Sequence, residues 1–381
     1  MKPMALAADI VAAGAVRPGP TPVTRPSPAA VAQGDWAAYR LETATEQGLA
    51  LAGRIKRMGR GQELAIGAVQ RALVGCTAQG IEPPARGAST AVSVGTAWAE
   101  EGDEITFLEN LIKLGEKAAK PAFFVNSVKN ALASQLALTF GFQGENQTFA
   151  HDALSFESAL WQGAHLLRAG RARHAVVCGV EALVAFQEIH GHLLGWYGTD
   201  AASLAPLFGP KRAAGQGTLP GEGAAAFILS APGTVASPLA RLSFVHARGP
   251  RRRDPVLAAA EELAFIEQAM DDAGVRIADA GLMVLGANGD PGLDAIYAEI
   301  AQGLATRAPG LAVGVYRHRT GDFATASALG FESAVRAVAN QALPDEMRIV
   351  AGDLGATGSI AHVVLYHLSS AGYHSVMIVS A

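Results

Sequence analysis

A chain of 381 residues exceeds what one small core can organise, so a two-lobed protein or a pair of fused repeats is expected. Half of the residues are apolar, 17% are charged and 43 are glycine, a composition suited to helices packed closely on a buried parallel sheet. A net charge of -4 gives no basic excess for nucleic acid; no run is long and apolar enough for a membrane span; and Cys76 and Cys178 lack disulfide or zinc spacing. A soluble, cytoplasmic protein without a metal is the expectation.

Residues 6–15 read as a first buried strand. The prolines at 18, 20, 22, 26 and 28 then rule out helix or central strand, so 17–34 is expected to be a surface loop. A helix starts near Gln62, and the β-branched run 90–97 is a strand. Residues 159–169 carry helical periodicity and lead through a charged turn into a short apolar strand over 175–183. The runs 224–230 and 241–249 read as an antiparallel edge or hairpin closing a first half, residues 1–235. The second half, 236–381, repeats the alternation: a helix over 257–274, a strand over 281–288, a helix from Asp294, a strand over 311–318, a helix over 328–340 and two last strands. Two similar halves predict a duplicated α/β fold with helices between sheets.

Four stretches in one order resemble the β-ketoacyl synthase family of the thiolase superfamily. They are residues 123–150; the run from His151 through Gly179 and Glu181; GEGAAAFIL from Gly221 to Leu229; and the set GANGDPGLD, RHRTGDFATASALGFESA and GDLGATGS. The resemblance implies a thiolase-like, duplicated five-layered α-β-α-β-α fold. It also implies that the family's cysteine position is Ala153, its first histidine position Asn288 and its second Asp322, with Arg317 in place of a lysine.

A methyl group carries no acyl chain, and asparagine does not titrate near neutrality. An anionic Asp322 opposes the negative charge that develops when a malonyl thioester loses carbon dioxide. Gly179, Gly221, Gly223, Gly321 and Gly355, which shape the backbone in the family, are kept. Scaffold without chemistry resembles a chain-length factor, and that resemblance implies an obligate heterodimer with an active β-ketoacyl synthase, steric control of its acyl tunnel, and acyl carrier proteins as partners. No cofactor is expected, since phosphopantetheine belongs to the carrier. Leu354 stands where many relatives have a gating phenylalanine, ahead of Gly355 and Thr357, and 123–150 is the candidate interface.

Two alternatives stay open. His151, Asp152, Ser155 and Glu157, with Asp322, could form a different acyl-transfer or thioester-hydrolysis site, against the plainer reading that His151 and Asp152 cap the next helix or sit at a dimer interface. The chain could also be a homodimeric acyl-binding scaffold. His165, His174 and the pair His190 and His192, expected on a loop, read as surface residues. The groups Arg168, Arg171, Arg173 and Arg251, Arg252, Arg253 are candidate docking patches for an acidic carrier.

Overall fold

The computed structural model describes residues 7–26, 35–41, 58–118, 120–198, 217–250, 258–354 and 359–381. The strands are β1 Ala8–Val16, β2 Val23–Pro26, β3 Asp35–Ala38, β4 Thr90–Gly95, β5 Asn146–Phe149, β6 His174–Glu181, β7 Gly223–Ser230, β8 Ala240–Arg248, β9 Leu282–Leu285, β10 Val313–Val315, β11 Arg348–Ala351, β12 His362–Leu368 and β13 His374–Ser380. The α-helices are α1 Arg60–Ala78, α2 Glu101–Leu114, α3 Pro121–Ser127, α4 Ala131–Phe140, α5 Ser155–Arg168, α6 Ala185–Leu193, α7 Ala259–Ala273, α8 Pro291–Arg307 and α9 Ala326–Asn340.

Eleven strands form one sheet in the order β11-β10-β9-β12-β13-β8-β1-β7-β6-β4-β5. Its two arms use one pattern. In the first, β5, β4 and β6 run parallel, and β7 and β1 follow antiparallel. In the second, β10, β9 and β12 run parallel, and β13 and β8 follow antiparallel. The arms meet where Ala8, Asp9 and Ile10 pair with Leu242, Arg241 and Ala240.

Strand alternation assigns the layers. Val177 of β6 and Phe227 of β7 face a central core that also takes Phe156 of α5, Phe331 of α9 and Met377 of β13. Their neighbours Val176 and Ile228 face an outer core under α1 and α4, while Val376 and Ile378 face the other outer core under α7 and α8. Helices therefore cover both outer faces and fill the middle, which is the mixed α/β, thiolase-like layering expected.

Several expectations change. β7 and β8 do not form a hairpin: β1 lies between them, and β8 pairs with β13 of the other arm. The chain ends in three strands, β11 being a short antiparallel edge on β10. In the proline-rich stretch, β2 pairs with β3 outside the main sheet, where a ladder lacking a proline N–H is tolerated; residues 27–34 lie outside those described. His190 and His192 stand on α6, not on a loop. Both cysteines are free, and burial pushes their thiols up to about 11 for Cys76 and about 12 for Cys178. No helix among the described residues is long and apolar enough to cross a membrane.

Candidate functional site

Open α/β sheets place their ligands at the carboxyl ends of their parallel strands. After β5 the chain turns sharply into α5. Asp152 takes a φ of 47°, a left-handed conformation costly for a side chain with a Cβ, and Ala153 follows it, buried. The Ser155 hydroxyl holds this elbow, donating to the Asp152 carbonyl (2.7 Å) and accepting the His151 N–H (2.9 Å). With both bonds made to backbone, and the residue fully buried, Ser155 serves the turn. Neither His151 nor Asp152 caps α5, whose N-cap residue is Leu154 with no side-chain cap. His151 is exposed, 3.5 Å by Nδ1 from the Ser158 hydroxyl and edge-on to Tyr373.

Asn288 lies on the turn after β9. Asp294 of α8 accepts its N–H and that of Gly289 (3.2 and 3.3 Å), and the Asn288 side-chain oxygen accepts the N–H of Asp290 (3.0 Å). Asp290 in turn caps α8 by accepting from Gly292 and Leu293 at 2.8 and 3.0 Å. The Asn288 side-chain nitrogen donates to no described residue. Asp322 follows β10; its N–H and carbonyl pair with Leu219 and Gly221 (2.8 and 3.1 Å), which fixes it beside the GEGA strand. Glu222 of that strand accepts from the Leu41 and Leu183 N–H groups and from Arg60, and so pins the adjoining wall.

Ala153, Asn288 and Asp322 open together onto one cavity of about 710 Å³. The three positions, 135 and 34 residues apart along the sequence, meet there with Asp152, Glu181, Arg317 and His367. The Arg317 guanidinium is 3% exposed and donates to Asp322, to Tyr316 Oη (3.3 Å) and to His367 Nε2 (3.0 Å). An imidazole that accepts at Nε2 carries its proton on Nδ1, which faces the buried Glu157 carboxylate at 3.7 Å. Burial, and then Arg317, lower the His367 pKa. Glu157 also accepts from Ser375 at 3.0 Å. A buried line of polar groups, Asp322–Arg317–His367–Glu157–Ser375, thus runs from the cavity into the central layer.

Glu181, at the end of β6, accepts the Ala97 and Trp98 N–H groups and the Thr96 hydroxyl; burial pushes its carboxyl up to about 7. Its neighbour Glu100, with no hydrogen-bond partner, is pushed up to about 8, first by burial and then by Asp103. A carboxyl raised in the folded state stabilises the fold fully below its unfolded value, and that contribution is lost as pH rises through the folded value. Glu100→Gln should therefore gain on the order of 1–2 kcal/mol over the wild type at pH 8 and nothing at pH 5, in urea melts at the two pH values.

From the second arm the β12–β13 turn, from Leu368 to Ala371, lines the cavity. Leu354 packs against the central core and does not line the cavity; Gly355 and Thr357 lie outside the described residues, as do Arg251, Arg252 and Arg253. His367 and this turn went unread in the sequence, which offered Glu157 only as a member of the alternative acyl-transfer or hydrolysis site. The GDLGATGS run is richer in glycine than LSSAG, and a buried histidine within an apolar strand carries no periodic signal. No group of three or more metal-ligating side chains occurs among the described residues.

Comparison with known proteins agrees with this geometry. The family model for the β-ketoacyl synthase N-terminal domain matches residues 40–232, just over half of the chain. No curated protein matches the sequence. Among solved structures, a β-ketoacyl synthase from Burkholderia phymatum STM815 is similar at a TM-score of 0.77 and 15% identity, covering 100% of this chain and 99% of its own. AntDE:AntF, a type II PKS acyl-carrier protein in complex with its ketosynthase bound to the hexaketide, gives 0.76 and 15% over 100% of both chains. The ishigamide ketosynthase/chain length factor gives 0.75 and 16% over 98% and 99%.

Proposed function

Since the chain belongs to the β-ketoacyl synthase family, we propose that it is a non-condensing, chain-length-factor-type subunit that pairs with an active β-ketoacyl synthase and shapes its acyl tunnel. The setting is type II polyketide, aryl-polyene or fatty-acid-like biosynthesis in the cytoplasm. The observation that carries this reading is the convergence of Ala153, Asn288 and Asp322 on one cavity. The site where the family forms a thioester and decarboxylates malonate is kept as a space and has no thiol and no imidazole at those positions. Malonyl groups are disfavoured further by Asp152 on its wall, whereas the charge of Asp322 is matched by Arg317.

The molecular surface supports a partner. Neither α2 nor α3 has a buried residue, and Leu108, Ile112, Phe124, Val125 and Leu138 are exposed across α2, α3 and α4. Beside them β5 ends the sheet with one unpaired edge. This surface falls largely within residues 101–150 and overlaps the candidate interface. The similarity to a ketosynthase/chain length factor and to a ketosynthase held by its acyl-carrier protein supports a ketosynthase subunit and an acyl carrier protein as partners.

Co-expression with a cysteine-containing ketosynthase from the same source tests the pairing. Native mass measurement should give a one-to-one pair, and Leu183→Phe, which narrows the cavity wall, should shorten the longest product of that pair. A stable homodimer that ignores the ketosynthase would instead favour the acyl-binding scaffold. Turnover of an acyl thioester by the chain alone, lost on replacing His151, Asp152 or Asp322, would favour a remodelled acyltransferase or hydrolase.

A further inference from the structure

Aromatic residues make up 6% of the chain, yet Trp98, Phe186, Trp196, Tyr197 and Phe323 all line the one cavity. Three of these rings are partly exposed: Trp98 is 48% exposed, Phe186 44% and Trp196 64%, with His190 packed against the Phe186 ring at 3.9 Å and the Lys129 ammonium 5.9 Å from the Trp98 ring centroid. Trp98 stands on the β4–α2 turn, and Phe186, Trp196 and Tyr197 lie within twelve residues on α6 and the turn after it, so folding brings separate stretches to the cavity. Folding leaves this ring surface uncovered, and large open aromatic faces inside a cavity are what a ligand completes.

The charged groups of the same lining are largely engaged within the protein. Asp322 is paired with Arg317, Asp290 caps α8, and Glu181 accepts from two backbone N–H groups and a hydroxyl. Glu101 and Asp152 also line the cavity and repel an anionic tail. The surface still to be matched is therefore largely aromatic, with Glu101 and Asp152 as its remaining charges. Flat π-systems satisfy it by offset or edge-to-face stacking, which a flexible saturated chain does not offer.

We infer that the cavity selects planar, conjugated or aryl acyl groups, with no charge at their far end, over saturated chains of the same length. This inference rests on the reading of the cavity as an acyl site and names the acyl class it takes. Binding of N-acetylcysteamine thioesters to the full chain, alone and in its ketosynthase pair, tests it through quenching of tryptophan fluorescence and calorimetry. The probes are the hexanoyl, 2,4-hexadienoyl and 6-aminohexanoyl thioesters.

The hexadienoyl thioester should bind about tenfold more tightly than the hexanoyl one. Trp98→Leu combined with Trp196→Leu, read by calorimetry, should bring hexadienoyl affinity down to the hexanoyl value, and a urea melt matching that of the wild type shows that the variant is folded. Equal binding of hexanoyl and hexadienoyl thioesters would overturn the inference and leave the acyl-site reading standing. Tightest binding of the aminohexanoyl thioester would overturn it in favour of rings that hold a cation. Binding of none of the three would overturn both.

Discussion

Gly95→Ala should cost about 3 kcal/mol or more, enough to empty the soluble fraction of a marginally stable chain. Gly95 ends β4 beneath the elbow that carries Ala153. A Cβ there would overlap the Ser155 carbonyl and lie 2.6 Å from the Phe156 nitrogen. These are backbone atoms of the first turn of α5, and they yield only if the helix moves. The helix is itself fixed by Phe156 against Phe227 and Phe331, so the strain has no cheap outlet. Gly19→Ala is the control, since nothing lies within 4 Å of its added carbon and its stability should stay within about 0.5 kcal/mol of wild type. Urea melts of the two variants check the contrast; a Gly95→Ala protein as stable as Gly19→Ala would show that the close approach of β4 and α5 is not what sets the elbow.

Arg317→Met should cost about 3 kcal/mol, and adding Asp322→Asn should restore most of it. The guanidinium is 3% exposed and supplies donors to Asp322, Tyr316 and His367 together. Removing it takes the paired cation from Asp322, which is 29% exposed on the cavity wall, and the donor from the buried His367 Nε2. Taking out the aspartate charge as well removes the larger of the two penalties. The measurement is a double-mutant cycle by denaturant unfolding, with the coupling energy as its readout. Additive losses would mean that the pair is screened and contributes little, despite its position.

The arrangement of layers was legible because it rests on repeated, strong signals. Alternating apolar runs such as Val176–Val177–Cys178 and Ala226–Phe227–Ile228 are buried on both faces and can be nothing but central strands. What periodicity does not encode is which strands become neighbours. The insertion of β1 between β7 and β8 depends on a pairing across more than two hundred residues, so a hairpin between sequential strands was the natural and mistaken expectation.

The site divides in the same way. Asn288 and Asp322 could be read because each sits in a short motif with its own turn glycine, and Ala153 by counting back from Gly179 and Glu181, and the fold brings all three to one cavity. His367 had no such frame, and Glu157 was read only within the alternative site at the elbow. Each lies inside a regular element, and their shared role exists only once β12 is laid beside α5. Glycine content draws attention to residues 352–358, of which 355–358 lie outside the described residues, whereas the cavity-lining run Leu368, Ser369, Ser370 and Ala371 carries no such signal. The glycines whose positions do carry information are those where backbone meets backbone. At Gly221 an added carbon would overlap the Thr320 carbonyl, so the GEGA strand and the Asp322 turn can touch only through glycine.

The most direct test of the account is an elongation assay with carrier-bound acyl and malonyl groups, run with this chain alone, with its ketosynthase pair, and with the pair whose partner cysteine is replaced by alanine. The account predicts product from the intact pair only. Product from this chain alone, or from a pair whose partner has no cysteine, would contradict it and place condensing chemistry in the cavity around Ala153.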